Sequence, residues 1–273
     1  MDEVEVGPEP AVRVQQESSV GDLLVRYARV SVFVVAGAVM WGSALLPAQA
    51  NAPTAAETLK PANVVYQFNK IKPGGIVRDV SPPTNRQMVL RGNWKRATAA
   101  NGTKKAVAFR ARSIGVIKRS ATLIPKRRAF AVSMVVKVRK FVGNDSPNLA
   151  QVGFYRQKGQ WKVEVLPNSG YILFRVKGTN GAAAVASRVS IDDGKYHLVT
   201  CYRKKGEIGV IIDGVKRTRS ASTGSVLSPR NVTIANKHST TAEDQFRGNF
   251  DYFSIALGRQ SVARSIAKAP AIR

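Results

Sequence analysis

Lysine and arginine side chains are the most prominent chemical groups in this sequence. The chain carries 43 of them against 17 aspartates and glutamates, which gives a formal net charge of +26. Their cationic groups pair with sulfate, phosphate and carboxylate, so clusters of them indicate a surface for an anionic ligand. The residues predicted to contact such a ligand are Arg91, Lys95, Arg96, Lys126, Arg127, Arg128, Arg203, Lys204 and Lys205. Because the clusters are scattered, the alternative is a solvated basic surface without a cognate partner.

No motif in the sequence favours a specific nucleic acid as that ligand. Proteins that bind single strands stack successive bases on several aromatic side chains within a basic groove. Trp94 beside Lys95 and Arg96 is a lone pairing rather than such a platform. The predicted partner is therefore a glycan or another polyanion, with no specific binding of nucleic acid.

The acidic residues do not form the pattern that glycoside hydrolysis requires. A glycosidase uses two carboxyl groups, and alternate positions of one strand place such a pair on the same face. Glu164 stands alone in an apolar stretch, and Asp192 and Asp193 are adjacent before a glycine, where aspartate favours a turn. We therefore predict that the protein is not an enzyme.

The two histidines and the single cysteine add little further chemistry. His197 shares strand parity with Val199 and Cys201, which predicts a structural histidine with a satisfied ring nitrogen. Nothing around His238 indicates more than a loop. Cys201 has no activating base nearby in sequence, so we expect a small core residue.

The N-terminal 50 residues have the order of an export signal. Arg26 and Arg29 precede an uncharged apolar stretch at 30–46, and Ala48 and Ala50 follow in a small-x-small pattern. Cleavage would start the mature chain near residue 51. The alternative is an uncleaved helix anchored with its N-terminus inside, although 17 apolar residues are near the lower limit for spanning. Either way, the protein is predicted to be secreted or anchored on the outer side of the cytoplasmic membrane.

Removing this segment makes the exported part more basic than the whole. Residues 1–50 hold an acidic leader with six acidic and three basic residues, which leaves 40 basic against 11 acidic residues beyond them. Residues 51–61 are small, polar and bounded by proline, as linkers are. A single domain at 62–258 and a basic tail at 259–273 complete the predicted organisation.

The segment 129–139 shows why the exported part is predicted to be all-β. Alternate residues are apolar, which is the period of a half-buried strand. The apolar face consists of Phe130, Val132, Met134, Val136 and Val138. Asp213-Gly214 between two apolar-bearing runs is a strong hairpin signal. About a dozen short strands and no convincing helix after residue 60 favour an antiparallel sandwich or barrel.

Six short motifs in order resemble the laminin G-like group of the concanavalin A-like lectin/glucanase superfamily. They are Tyr66-x-Phe68 with the Asp-x-Ser loop at 77–81, the strand at 106–109, Phe130-Ala131-Val132-Ser133, Asp193-Gly194-Lys195-Tyr196-His197 with tyrosine where tryptophan is usual, the strand ending in Asp213-Gly214, and the closing Phe246-x-Gly248-Asn249-Phe250-Asp251. The resemblance implies a jelly-roll sandwich of two antiparallel sheets. It also implies binding of glycans or of extracellular proteins.

The same resemblance suggests calcium as a cofactor. Asp79, Ser81 and Asn85 match the family's Asp-x-Ser-x-x-x-Asn spacing, and Asp251 matches its closing aspartate. Oxygen ligands of these types suit a hard cation. The family's loop glycines are replaced by Pro82-Pro83-Thr84, however, and the second closing aspartate is Tyr252. An ordinary turn at Asp79 is the alternative.

Three functions are compatible with these observations. The first is an exported, non-catalytic binding module for an anionic carbohydrate or another extracellular polyanion. The second is a cell-surface structural or protein-interaction module that contacts envelope proteins and no glycan. The third is a degenerate polysaccharide-degrading enzyme. In each of them only the N-terminal segment touches the membrane.

Overall fold

The computed structural model describes the residues that follow the predicted leader and linker. The described ranges are 63–81, 85–102, 105–138, 146–157, 159–238 and 244–268. The predicted export signal, the linker at 51–61 and the Pro82-Pro83-Thr84 stretch lie outside them. Within these ranges, no helix has the length and apolar character needed to cross a membrane.

Sixteen β-strands make up most of the described chain, which confirms the all-β prediction. They are β1 (Val64–Lys72), β2 (Ile76–Asp79), β3 (Gln87–Arg91), β4 (Trp94–Ala97), β5 (Ala106–Phe109), β6 (Ile114–Ile117), β7 (Phe130–Val138), β8 (Asn148–Val152), β9 (Gln160–Val165), β10 (Tyr171–Gly178), β11 (Gly181–Ser190), β12 (Tyr196–Lys204), β13 (Glu207–Ile212), β14 (Val215–Ser220), β15 (Val232–Ile234) and β16 (Gly248–Leu257). Two short 3₁₀ helices occupy Pro73–Gly75 and Ala121–Leu123.

The strands form one antiparallel hydrogen-bonded path that folds over into two layers. Its order is β11-β10-β9-β8-β15-β6-β3-β2-β1-β16-β7-β12-β13-β14, with β5 attached to β16 and β4 to β5. The end strand β11 packs against β13 and β14, so the path nearly closes on itself. Two separate sheets were expected. The layers are joined because β1 pairs with β16 on one side and with β2 on the other, with a register shift between Tyr66 and Ile71.

The main core lies between the two layers and confirms the alternation predicted for β7. All five predicted inward residues of β7 are buried in this core. Phe130 makes aromatic contacts with strands of the opposite layer, with ring centroids 6.4 Å from Trp161 and 6.1 Å from Phe174. Burial of large apolar side chains from both layers is the main source of stability in such a sandwich.

The predicted hairpin at Asp213-Gly214 joins β13 to β14 through a two-residue turn. Both residues have positive φ, +47° for Asp213 and +88° for Gly214, as a type I′ turn requires. Five of the six residues of β14 are exposed, including Lys216 and Arg219. Charged side chains on an end strand oppose edge-to-edge pairing with other chains.

A helix, α1 (Arg259–Lys268), occupies most of the segment predicted to be a basic tail. The expectation of no helix after residue 60 was therefore wrong. Val262 and Ile266, one helical turn apart, pack on a second apolar cluster on the outer face of the β7 layer. Gly258, with φ of +93°, lets the chain turn from β16 into the helix. The outward residues Ala131 and Val135 of β7 are buried for this reason.

Candidate functional site

Two of the predicted basic clusters meet at one end of the sandwich. Residues 126–128 directly precede β7, and Lys204 and Lys205 lie where β12 turns into β13. Strands β7 and β12 are antiparallel neighbours, and Phe130 faces Arg203 across the pair. The start of one strand therefore lies beside the end of the other, and clusters about 75 residues apart in sequence become adjacent.

Between these segments lies a cavity of about 1130 Å³, which we call the basic cavity. Its other walls are residues 221–225, Asn180 at the β10–β11 turn, and Gly258. Among the described residues that line it, seven are basic and none is acidic. The basic ones are Lys126, Arg127, Arg128, Arg203, Lys204, Lys205 and Arg259. A concave site lined by charges of one sign concentrates ligands of the opposite sign.

Arg203 holds the walls of the basic cavity together. Its guanidinium donates hydrogen bonds of 2.7 Å to the carbonyl oxygens of Lys126 and Arg128. It donates two more on the opposite wall, at 2.9 Å to the carbonyl oxygen of Gly224 and at 3.4 Å to Thr223 Oγ1. The residue is only 5% exposed, and burial lowers the pKa of its guanidinium to about 10, so it stays charged at neutral pH. Arg203 therefore acts as a positioning residue, whereas the sequence suggested a ligand contact.

Main-chain pairing fixes the same walls. Lys126 and Val226 exchange backbone hydrogen bonds of 3.1 and 3.0 Å, which ties the first basic segment to the 221–226 wall. The amides of Thr179 and Asn180 donate to carbonyl oxygens at Ser225 and Thr223. Backbone hydrogen bonds therefore fix the walls of the cavity in the absence of a ligand, and the rim side chains extend from these walls.

Four rim cations are exposed and have neither an ion pair nor a side-chain hydrogen bond within the described residues. They are Lys126, Arg127, Lys205 and Arg259. By contrast, Lys204 Nζ lies 3.3 Å from Glu207 Oε1, and Arg128 donates to the carbonyl oxygen of Ile124 at 2.7 Å. The four exposed cations are the groups that an anion entering the cavity would meet first. Of these, Arg259 was missed by the sequence analysis, which assigned it to a tail.

The third predicted cluster lies elsewhere. Arg91 ends β3, and Lys95 and Arg96 lie on β4, outside the lining of the basic cavity. Arg91 and Lys95 are exposed, and Arg96 donates a 2.9 Å hydrogen bond to the carbonyl oxygen of Ile71. Of the nine residues predicted to bind a ligand, the six at 126–128 and 203–205 therefore line the basic cavity, and the other three do not.

Among the residues proposed for calcium, Asp79 and Asp251 lie on strands that are not neighbours in the sheet. Asp79 is buried, and its Oδ1 accepts hydrogen bonds of 2.9 Å from the amides of Val65 and Ser81 and one of 2.5 Å from Ser81 Oγ. Asp251 lies on β16, separated from β2 by β1, and accepts a 3.2 Å bond from the amide of Ala100. Asn85 is exposed beside β3. The described ranges also contain no group of three or more His, Cys, Asp and Glu side chains able to hold a metal.

Asp79 makes the hydrogen bonds of a turn former, the alternative considered for it. One oxygen that accepts two amides and a hydroxyl fixes the end of β2 against β1. Burial raises the pKa of the Asp251 carboxyl.

The side chains considered for catalysis are all engaged in structural contacts. Glu164 is buried, with Lys162 Nζ 2.6 Å and Arg175 Nε 2.7 Å from its carboxylate oxygens. Cys201 is fully buried, and burial raises the pKa of its thiol, which disfavours the nucleophilic thiolate at neutral pH. Neither residue lines the basic cavity.

His197 is a structural histidine, as predicted. Both of its ring nitrogens have hydrogen-bond partners, whereas only one was expected. Nδ1 lies 2.6 Å from Asp213 Oδ2, and Nε2 lies 2.9 Å from Asp193 Oδ1. Asp213 Oδ1 also accepts a 2.8 Å bond from the amide of Leu198. The hydrogen bond to Asp213 is the main cause that raises the pKa of the His197 imidazole. The cluster ties the β13–β14 turn to the start of β12.

Three solved structures with a similar fold come from clostridial toxins. The binding domain of Paraclostridial Mosquitocidal Protein 1 has a TM-score of 0.58 at 13% identity, covering 75% of this chain and 51% of that one. The botulinum neurotoxin serotype D binding domain has a TM-score of 0.59 at 13% identity, covering 78% and 51%. A botulinum neurotoxin type C structure, described as dependent on two ganglioside molecules for cell entry, has a TM-score of 0.58 at 12% identity, covering 80% and 53%.

These likenesses show the fold alone, and the chain spans about half the length of the toxin domains that it matches. A search of curated protein sequences finds no significant match. A laminin G family model, described as concanavalin A-like lectin/glucanases superfamily, matches residues 112–263, which is more than half of the chain and includes both convergent basic segments. The chain therefore belongs to the laminin G-like group of the concanavalin A-like lectin/glucanase superfamily.

Proposed function

We propose that this protein is a non-catalytic binding module that recognises an anionic carbohydrate in the basic cavity. The observation that carries the proposal is the convergence of residues 126–128 and 203–205 on one preformed cavity. Four exposed cations at its rim supply charge for carboxylate, sulfate or phosphate groups. Arg203, buried beneath them, keeps the walls in place before the ligand arrives, which lowers the entropic cost of binding.

The composition of the cavity supports binding rather than hydrolysis. Cleavage of a glycosidic bond needs two carboxyl groups beside the sugar, and no described residue of the lining carries one. The lining does carry hydroxyl and amide groups at Ser222, Thr223, Ser225 and Asn180 that can bond to sugar hydroxyls. One of the similar solved structures comes from a toxin whose cell entry depends on gangliosides, which are acidic glycolipids.

Export is the second part of the proposal. The uncharged stretch at 30–46, with arginines before it and small residues after it, supports secretion or anchoring on the outer side of the membrane. Cell fractionation followed by N-terminal sequencing tests this. A mature chain that starts near residue 51 is expected, and a chain confined to the cytoplasm would contradict it.

Dextran sulfate and dextran are a suitable pair of probes for the binding proposal, because they share a sugar backbone and differ in charge. We expect the full chain to bind dextran sulfate and not dextran at near-physiological salt. DNA serves as a second polyanion. If DNA and dextran sulfate bind alike and are lost together as salt rises, the charge is nonspecific and the proposal fails.

Paired charge reversals locate the site. The double variant Arg127→Glu, Lys205→Glu removes two of the free rim cations. The control, Arg91→Glu, Lys95→Glu, makes the same change in charge on exposed residues outside the cavity. We expect dextran sulfate affinity to fall about tenfold or more in the first variant and much less in the second. Equal losses would show that net charge alone drives binding.

A further inference from the structure

A second, apolar recess opens beside the basic cavity. It has a volume of about 570 Å³, and one wall is formed by Val262, Ala263, Ile266 and Ala267 of α1. The remaining lining residues, Ala129, Lys204, Lys205 and Arg259, also line the basic cavity. The two spaces therefore adjoin. We call the second one the helix groove.

The helix groove has the chemistry of an alkyl-chain site. Its helical wall presents only alanine, valine and isoleucine side chains, and Ala263 and Ala267 are exposed there. The methylene stem of Lys205, which lines both spaces, can lie along an apolar chain while its ammonium group faces the basic cavity. Its volume falls in the range of roughly 300–1000 Å³ that is usual for small-molecule sites.

The orientation of α1 matches this division. The helix begins at Arg259, which borders both spaces, and its residues between 262 and 267 line the apolar recess. The positive end of the helix dipole is therefore at the boundary with the basic cavity, where it adds to the field of the basic side chains. Charge is concentrated at one end of the combined site and apolar surface at the other.

We propose that the ligand is an anionic glycolipid, with its charged sugar in the basic cavity and its alkyl chain along the helix groove. This inference rests on the proposed function, because it keeps the anionic sugar and adds the chain. An amphiphile suits the site because no described residue of either lining is acidic, while the polarity changes from cationic to apolar across four shared residues. Residues 269–273, which follow α1 directly, are the competing occupant of the groove.

Three small glycosides separate the contributions of charge and chain. Octyl glucuronide has a charged sugar and a chain, methyl glucuronide has only the charged sugar, and octyl glucoside has only the chain. Each is titrated into the full chain by calorimetry, below the concentration at which micelles form. Monomeric probes avoid insertion of the apolar N-terminal segment into a bilayer. We expect octyl glucuronide to bind about tenfold more tightly than methyl glucuronide, and octyl glucoside to bind most weakly.

A substitution in the groove tests the location. Ala263→Asp places a carboxylate in the groove at an exposed position of the helix. Gln260→Asp makes the same charge change on the same helix at an exposed position outside the groove. We expect Ala263→Asp to reduce octyl glucuronide binding to the level of methyl glucuronide, and Gln260→Asp to preserve the difference. Circular dichroism of both variants verifies that α1 and the sheet are retained.

The possible failures of the two proposals differ. Equal binding of octyl and methyl glucuronide would overturn the glycolipid inference and leave the anionic carbohydrate site standing. Binding of octyl glucoside alone would overturn the proposed function as well. If octyl glucuronide gains its advantage only after residues 269–273 are deleted, the groove belongs to the chain's own C-terminus, and the inference is wrong.

Discussion

At each end of β12 one side chain fixes the neighbouring turns, but the two side chains do so with different partners. Arg203 at one end and His197 at the other both point inward, and each ties neighbouring turns to the sandwich. His197 is held between two carboxylates, those of Asp193 and Asp213. Arg203 is held by three carbonyl oxygens and one hydroxyl, with no carboxylate among its hydrogen-bond partners in the described residues.

The difference in partners gives the two ends different electrostatic properties. At the His197 end, the two carboxylates that bind the imidazolium offset its positive charge, so little of that charge acts on groups outside the cluster. At the Arg203 end, neutral dipoles satisfy the hydrogen bonds while the positive charge stays uncompensated. Its field therefore adds to that of the rim cations. An anion-binding site needs a buried anchor of the second kind, because carboxylates would cancel the charge that attracts the ligand.

Replacing Arg203 should have the largest effect. Arg203→Met removes the donor of four hydrogen bonds at the cavity walls, and of the three carbonyl oxygens involved Lys126 O retains a donor in the amide of Val226. We expect the free energy of unfolding to fall by about 3 kcal/mol. Urea denaturation of the full chain measures it. Arg203→Lys should be intermediate, because it keeps the charge and loses the planar fork. The exposed neighbour Lys204→Met is the control, and an equal loss there would contradict the anchoring role.

The His197 cluster should make stability depend on pH. The pKa of the folded imidazole is raised, so its charged form is favoured in the native state. The stabilisation should be fully present below the ordinary histidine pKa of about 6.5 and should be lost as pH rises through the folded value. We expect His197→Gln to be destabilised by about 1–2 kcal/mol at low pH, with a smaller difference from the natural protein at high pH.

The two carboxylates of this cluster give an internal control. Asp213→Asn should reduce the pH dependence more than Asp193→Asn, since the hydrogen bond to Asp213 is the larger cause of the raised His197 pKa and Asp213 is the less exposed. Denaturation curves at several pH values measure both. A pH dependence that is unchanged in His197→Gln would assign it to other groups.

Adding an acid to the basic cavity should have the smallest effect and tests the comparison most directly. Ser222 is exposed in the lining, and Ser222→Glu brings to this end the kind of charge found at the His197 end. We expect dextran sulfate binding to weaken about threefold, with stability unchanged, as is usual for an exposed charge. Ser220→Glu, on exposed β14 outside the lining, is the matched control. Equal weakening by both would mean that net charge outweighs local charge.

Local patterns in the sequence predicted the strands well. The alternation along β12 also contained an indication, not used in the prediction, that Arg203 is buried. Alternation in β7 and the Asp213-Gly214 turn gave correct predictions because both depend on neighbouring residues. The parity that predicted an inward His197 and Cys201 applies equally to Arg203. Its burial could therefore have been predicted, but its place in the basic run Arg203-Lys204-Lys205 favoured a surface position.

The basic cavity and α1 depended on information that is not local. The meeting of residues 126–128 with Lys204 and Lys205 requires the β7–β12 register, which sets strands distant in sequence side by side. Helix α1 has only Val262 and Ile266 as large apolar residues, so its period is weak, and it is held by the outer face of the sheet. Contacts with the sheet therefore stabilise a helix that the pattern of the segment alone does not predict.

The anchoring by Arg203 has a consequence for how this site could diversify. Three of its four bonds go to main-chain oxygens, which are present whatever side chain the residue carries. The side chains at positions 126 and 128 can therefore be exchanged without losing the bonds that shape the walls. Scaffold and recognition surface are encoded separately here, so random libraries at the rim should yield new ligand preferences while most variants still fold.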